Sequence, residues 1–384
     1  MIPFSKRQGE ALAILATKPD ATSPTTAENL GEKLEVSIAT IRRDMADLLK
    51  GGYVASTGPG RGGGYTLTVL GRLSAPIDPV LHCAVDPDKR FCRPFDPELI
   101  RNLPISLFRD DELAKLAPLP PERSMDLRAG DTAARKELER FVIELAWKSS
   151  SIEGNTYSLL DTQELLTTGR RAPGRKAEEA IMILNHKTAF QFVLENLDEF
   201  RNRPSEAVLR QVHAVMVKGL NVDTGFRRRL VGITSTSYRP ADNEFQIKEA
   251  VKDILDAVGR TENSHTAALT ALAGLSYVQP FVDGNKRTSR LVADAVLLSR
   301  NLHPLSYRGV ENSEFLSAML TFYETGSAAG IKQIYSRQFE FSRDHYRLHA
   351  PSSERGEVSP KSAPGGASLR KKKGRTQQPG GKSK

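Results

Sequence analysis

The chain has 384 residues, of which 39% are hydrophobic and 26% charged, values ordinary for a globular protein with room for two or three domains. It holds no run of eighteen apolar residues, and MIPFSKRQGEALAIL lacks the apolar stretch and cleavage site of a signal peptide, so no membrane partner and cytoplasmic residence are the expectation. The two cysteines, Cys83 and Cys92, exclude a disulfide framework, and His82 beside Cys83 matches no zinc spacing.

The net charge of +9 is unevenly placed. From Pro351 onward nine Lys and Arg stand against Glu354 and Glu357, so +7 of it belongs to the tail and the folded body is nearly neutral. Residues 346–384, rich in Gly, Pro, Ser and Lys, bury too little apolar area to fold, and are expected to be a disordered basic tail. The tail is either a solvated end or an anchor for a polyanion.

In chain order, a first helical stretch carries Leu12, Ile14 and Leu15. A second reads TAENLGEKL, with Thr25 or Thr26 as its N-cap. The third, SIATIRRDMADLLKGGYV, starts after Ser37, and Ile38, Ile41, Met45 and Leu48 follow the spacing of a buried face. Thr40, Arg42 and Arg43 fall on or near the opposite side. Gly51-Gly52 stops this helix, and two short strands flank the loop STGPGRGGG.

Three helices and a glycine-tipped hairpin, over residues 1–70, predict a winged helix-turn-helix. Its third helix resembles the recognition-helix region of DeoR-type bacterial regulators. That docking puts Thr40, Arg42 and Arg43 toward DNA and Arg61 of the wing toward phosphate. The alternative is a protein-interaction module with solvated arginines. GPGRGGG lacks a following GK[ST] and precedes a strand, so it is read as a wing and not as a nucleotide loop. Residues 71–131 are proline-rich, incompatible with one long helix or a central strand, and read as a connector packed through short helices.

From residue 132 to 345 helical periodicity dominates, interrupted by RRLVGITSTSYRP, which reads as a short hairpin. The expected fold class is therefore mainly α: a winged helix-turn-helix followed by an all-helical domain with a β-hairpin. Near the end of this region, DGNK opens a helix. Gly284 lets backbone approach a ligand, and the free amides of a helix start favour an anion. Arg287 and Arg290, three residues apart, flank that position, and Asp283 is a hard oxygen ligand suited to Mg²⁺.

Gln279-Pro280-Phe281-Val282-Asp283-Gly284-Asn285-Lys286-Arg287-Thr288-Ser289-Arg290 resembles the signature of the Fic family, HPFxx[DE]GN[GK]RxxR, with glutamine in the place of histidine. SSSIEGN, from Ser149, resembles the family's inhibitory motif [ST]xxxE[GN], and GITSTSYRP stands at the position of its flap hairpin. The resemblance implies a helical protein that binds ATP with Mg²⁺ and transfers AMP to a protein hydroxyl (AMPylation). By position it implies Asp283 for the metal, Gly284, Asn285 and Lys286 for the anion hole, and Arg287 and Arg290 for the outer phosphates. It further implies that Glu153, with Ser149, autoinhibits by pairing with Arg290. A target protein would dock along the flap, 231–239, by strand addition. Lys286 replaces the family's commoner glycine and is shared with a branch associated with phosphate transfer.

Gln279 stands where the family has its general base, and an amide cannot hold a proton near neutral pH. Three readings follow: a nucleotide-responsive regulator with weak or lost adenylyltransferase activity, an active AMP- or phosphate-transferring enzyme, and a DNA-binding scaffold without nucleotide. His213 is expected to be a packed histidine and not a substitute base. A homodimer is left open.

Overall fold

The computed structural model describes residues 4–17, 25–58, 63–105, 107–117, 125–126, 132–346 and 348–349. Met1–Pro351 form one compact unit. The basic tail beyond Pro351 lies outside the described residues, as does Arg61 of the expected wing. No helix among the described residues is long and apolar enough to cross a membrane.

The N-terminal part has three helices, α1 (Lys6–Ala16), α2 (Ala27–Leu34) and α3 (Ile38–Lys50), then β1 (Val54–Ser56) and β2 (Tyr65–Leu67). Ser5, Thr26 and Ser37 cap the helices by accepting from backbone amides. The strands pair antiparallel, Val54 opposite Leu67 and Ser56 opposite Tyr65. A small core of Leu12, Leu15, Leu30, Ile41, Met45 and Leu48 closes beneath them. Buried Asp44 on α3 accepts from Arg7 Nε at 2.6 Å, pinning α1 to α3. Ile38 differs from the sequence expectation. It is 40% exposed, because it sits in the first turn of α3, ahead of the point where Ile41 meets the core.

The proline-rich segment folds as short helices: α4 (Val69–Ser74), α5 (Pro79–Cys83), α6 (Pro97–Asn102) and α7 (Asp110–Lys115). Asp78 and Asp96 cap α5 and α6, each with proline at the first helical position. Gly71 is required: a Cβ there would meet the Tyr53 carbonyl oxygen at 1.9 Å. Leu73, Leu99, Ile100 and Leu107 enter the main core, whereas Ala75 and Ile77, a few residues along, belong to the N-terminal core. Ser327 Oγ donates to the Ala75 carbonyl at 2.5 Å and Ala328 N to the Leu73 carbonyl at 3.1 Å. A short strand β3 (Met125–Asp126) pairs in parallel with β4 (Leu348–His349), which follows the last helix among the described residues.

The body contains α8 (Thr132–Ser151), α9 (Leu159–Thr168), α10 (Ala177–Glu195), α11 (Leu197–Arg201), α12 (Glu206–Met216) and α13 (Glu244–Arg260). It continues with α14 (Ser264–Val278), α15 (Asn285–Ser299), α16 (Asn312–Thr325) and α17 (Ala329–His345). Every residue of α14 except Ser264, and every residue of α15 except Lys286, is buried. Helices covered on all sides form the centre of a bundle, so the loop joining them is held by the whole body.

Arg228–Pro240, expected as a hairpin, contains no strand; it is an extended loop with a turn at Thr234-Ser235, where Ser235 has φ 64°. Side chains from elsewhere take up its polar groups in place of a ladder. Ser235 O accepts from Arg90 Nη2, Thr236 Oγ1 bonds Glu324 Oε1 at 2.5 Å, and Tyr238 OH donates to the Tyr277 carbonyl at 3.0 Å. Glu324 is fully buried and also receives Arg90 Nη2 at 2.9 Å and His82 Nε2 at 2.6 Å. His82 thus belongs to the hydrogen-bonded cluster around Glu324.

Candidate functional site

The loop between α14 and α15 is built from reciprocal bonds. Gln279 ends α14 in the left-handed region, φ 49° and ψ 61°. Its carbonyl accepts from Arg227 Nε at 2.7 Å, and Pro280 O accepts from Arg227 N at 2.9 Å. Asn285 Nδ2 donates to Phe281 O and Phe281 N to Asn285 Oδ1, both at 2.8 Å, closing the loop on itself. Gly284 has φ 78°, and a Cβ there would also press Val217 Cγ1 at 3.0 Å. Only glycine fits that position without strain. Asn285 therefore clamps the loop with its side chain.

His213 on α12 stacks on Phe281 at 3.6 Å between ring centres, and its Nε2 lies 2.9 Å from the Asp283 carbonyl. A carbonyl only accepts, so Nε2 carries the proton. Burial, partly offset by that bond, lowers the His213 imidazole to about 4. Nδ1 is buried without a partner. This is a neutral, packed histidine that holds the loop.

Arg287 and Arg290 enter the interior from the first turns of α15. Arg290 is 0% exposed; its Nε donates to Ser149 Oγ at 2.9 Å, and its Nη2 to Ser149 O at 2.8 Å and Glu153 Oε1 at 3.0 Å. Lys286 Nζ lies 3.1 Å from the other Glu153 oxygen. Burial acts to raise the Glu153 carboxyl, but Arg290 and Lys286, with Arg287 behind them, outweigh it and hold the group below the usual carboxylate range. Arg290 Nη1 and Arg287 Nε and Nη1 are buried with no partner. Burial depresses the Arg287 guanidinium, a shift that an added anion would oppose. His186 on α10, with both ring nitrogens unpartnered, is lowered to about 3 by burial and then by Arg290 and Arg287. Its neutrality was not legible in the sequence, where it reads as one more residue on a helix face.

Glu153, Lys286, Asp283, Gln279, Ile233 and Tyr323 line a cavity of about 610 Å³. That size suits a nucleotide. Asp283 keeps its carboxylate in the open: its side chain is 67% exposed, with Oδ1 accepting from Gly284 N at 2.6 Å and Oδ2 3.7 Å from Arg287 Nη2. Gln279 Nε2 donates to the Ser276 carbonyl at 2.7 Å, which fixes the amide at the cavity wall. A larger cleft, about 1010 Å³, lies between the N-terminal part and α17. Its charges already neutralise one another, as in Lys332 with Glu112 at 2.9 Å and Arg109 with Asp111 at 2.9 Å, so it has less to offer an anion.

On the N-terminal part, Arg42 and Arg43 are exposed on α3 and Thr40 is half-buried, its hydroxyl 2.9 Å from Ser37 Oγ. Arg42 Nη2 is paired with Glu28 at 3.0 Å, a contact the sequence reading did not include.

The comparisons with known proteins fit this layout. Residues 203–297 match the Fic/DOC family model and residues 11–66 an HTH domain model. The chain is 25% identical over 194 residues to protein adenylyltransferase fic-1 of Caenorhabditis elegans, covering 49% of this chain and 38% of that protein. It is 24% identical over 219 residues to protein adenylyltransferase Fic of Nematostella vectensis, covering 56% of this chain and 51% of that one. The chain thus spans about half, or less, of the length of these relatives. In fold it is similar to a solved structure of residues 134–508 of Fic-1 from C. elegans, with a TM-score of 0.51 and 20% identity over 85% of this chain and 88% of that one. The chain therefore carries a Fic/DOC-family domain behind an N-terminal helix-turn-helix domain.

Proposed function

We propose that the cavity at the head of α15 binds Mg·ATP, that Glu153 autoinhibits it, and that nucleotide occupancy regulates a DNA-binding winged helix. The observation that carries this reading is the set of buried, unpartnered guanidinium nitrogens on Arg287 and Arg290 beside a carboxylate, Glu153, that occupies the place of an anion.

Each residue has a definite task. The Asn285 and Lys286 amides at the start of α15 face the phosphates, and the Gly284 amide, now donating to Asp283 Oδ1, joins them once that carboxylate turns to the metal. Arg287 and Arg290 hold the outer phosphates once Glu153 has withdrawn. Asp283 fits a Mg²⁺ site, since Mg²⁺ takes one or two carboxylates plus substrate phosphates and this carboxylate is open. Among the described residues no group of three His, Cys, Asp or Glu competes with it. When bound, the ion neutralises phosphate charge. His213 supports the Asp283 carbonyl and thereby the loop.

Gln279 limits the chemistry. A general base contributes about 10²–10⁴ in rate, and an amide cannot supply it. Binding and positioning survive that loss, so transfer of AMP to a protein hydroxyl is weak while ATP recognition remains. Exposed Arg42 and Arg43 on α3 support the DNA half of the reading. The flap, 231–239, stays the docking edge for a target segment, without a preformed strand. Cytoplasmic residence remains part of the proposal.

Calorimetry of the full chain with Mg·ATP tests it. Glu153→Gly is expected to bind at least about tenfold more tightly than wild type, a difference of about 1.4 kcal/mol. No heat from either protein would leave the cavity without its nucleotide and end this reading.

A further inference from the structure

The described residues lining the nucleotide cavity include few that ionise: Glu153, Asp283, Lys286 and Tyr323. None is suited to take a proton from a neutral hydroxyl at working pH. Glu153 is held below the usual carboxylate range by Arg290 and Lys286 while the site is closed, and on the reading above it withdraws from the phosphate position when nucleotide binds. Burial pushes the Tyr323 phenol far above its ordinary value, so it keeps its proton. Lys286 is a cation paired to Glu153, and Asp283 is assigned to the metal. Gln279 is an amide tied to Ser276 O. A nucleophile entering here has to arrive already ionised.

Next to this cavity lies a second, of about 590 Å³, that shares Val282 with it. Arg210, Arg228, Arg229 and Lys248 line it together with Arg227, against only Asp223 and Glu244. Glu244 is shared, 3.1 Å from Arg228 and 2.8 Å from Lys248, while Asp223 lies 3.5 Å from Arg229 and Glu206 3.5 Å from Arg210, so three carboxylates face five cations and a net positive charge remains. Arg227 joins the two cavities directly, since its backbone and side chain bond Pro280 O and Gln279 O. Leu230, 68% exposed, and Phe245, 85% exposed, follow Arg229 and Glu244 in the chain and provide apolar contacts for a polypeptide.

We propose that the acceptor of this site is an oxyanion, a carboxylate of an acidic polypeptide segment seated on the basic cavity. This deepens the nucleotide reading and rests on it. A lone pair of the carboxylate oxygen forms the bond to the α-phosphorus of ATP. The bond from that phosphorus to the α–β bridging oxygen breaks, and pyrophosphate leaves with the electron pair. The product is an acyl adenylate, and no proton is transferred. Inorganic phosphate has the same oxyanion chemistry and would yield ADP and pyrophosphate by the same displacement.

The test uses full-length Glu153→Gly with Mg·ATP, whose binding is first measured by calorimetry. Pyrophosphate release is then followed with a glutamate-rich peptide, with inorganic phosphate, or with a serine- and tyrosine-bearing peptide of neutral charge. Hydroxylamine traps an acyl adenylate as the hydroxamate, and ³²P-phosphate entering ADP reports the phosphate arm. An oxyanion acceptor is expected to exceed the hydroxyl peptide by about 10²-fold, the contribution of the base that only the hydroxyl needs. Gln279→His is expected to narrow that ratio by raising the hydroxyl rate. Arg228→Glu with Arg229→Glu, both at exposed positions, is expected to weaken the peptide arm at least about tenfold through its KM while ATP affinity stays within twofold. Bound ATP with release no faster for oxyanions than for hydroxyls overturns the proposal and leaves the nucleotide reading standing. Absence of ATP binding overturns both.

Discussion

Lys286 Nζ and Glu153 Oε2 meet at 3.1 Å across the candidate phosphate position, while Arg290 holds the other oxygen of the same carboxylate at 3.0 Å. A single carboxylate thus bridges two cations, one at the cavity mouth and one fully buried. Resemblance to the family implied only the Arg290 half of that arrangement. The lysine makes the closed state of the site depend on two ion pairs.

The Glu153 carboxyl is held below its ordinary 4.5, so its pairs stabilise the folded closed state above that value and lose this contribution as pH falls through the depressed one. Accordingly, between neutral pH and about pH 5 the wild-type affinity for ATP should show no change attributable to Glu153. Relief of inhibition on acidification should begin only below pH 4.5. A titration of nucleotide affinity that rises between pH 7 and 5 in wild type and not in Glu153→Gln would contradict the assignment.

Histidines give the opposite side of the linkage. His186 is lowered to about 3, and His213 and His265 to about 4, each chiefly by burial. The unfolded chain binds protons at these groups below about 6.5 while the folded chain does not, so stability falls as pH drops through that window. Each contributes a slope of up to about 1.4 kcal/mol per pH unit between pH 6.5 and about 4. Denaturation midpoints at pH 7, 6 and 5 check this; a flat profile for wild type would count against neutral buried imidazoles.

On the N-terminal part, the Arg42–Glu28 pair alters what mutagenesis should show. Arg43→Ala should weaken binding to duplex DNA and lower the salt slope by about one. Glu28→Gln should strengthen binding, because it frees the Arg42 guanidinium from a competing carboxylate. Fluorescence anisotropy over a range of salt concentrations measures both, and an unchanged slope for Arg43→Ala would remove α3 from the DNA face.

Gly71→Ala tests the junction. With the Tyr53 carbonyl 1.9 Å from the new Cβ, backbone has to move, and a loss of about 3 kcal/mol in chemical denaturation is expected. A loss below about 1 kcal/mol would show that the junction yields easily.

The Glu324 cluster leads to a fourth site of intervention. Arg90→Ala leaves a buried carboxylate with one cation fewer and frees the Ser235 carbonyl, a change that costs about 3 kcal/mol. Amide hydrogen exchange at residues 233–237 should accelerate more than exchange in α14. Uniform acceleration across the body would mean that the cluster supports the core and not the flap loop.

How much of this was legible beforehand depended on sequence distance. Helices α1 to α3, the Ser37 cap and the wing strands follow from local spacing and capping, and so they read directly. The head of α15 was legible because Asp283, Gly284, Asn285, Arg287 and Arg290 lie within one motif. Ser149 and Glu153, 141 and 137 positions away from Arg290, were placed through a second motif, and the structure brings them together. The Glu324 cluster had no such aid. Its partners lie 242, 234 and 88 positions away, and none of them forms a pattern with it. The flap was misread for a related reason: β-branched residues around one glycine suggest a hairpin, but distant side chains supply its bonds. Ile38 was placed on the core side by periodicity, which does not show where a helix begins to overhang its neighbours.

Leu73 belongs to the core of the body, and Ala75 and Ile77 to the core of the N-terminal part, with no free tether between them. The adjacent Ser327 and Ala328 of the body donate to the Ala75 and Leu73 carbonyls at this junction. The proposed recognition helix α3 and the proposed nucleotide cavity therefore belong to one compact unit. Were the proposed DNA contact made by two copies joined through their bodies, their α3 helices would stand at a separation set by protein geometry, and the pair would act as a ruler along DNA, accepting some half-site spacings and rejecting others.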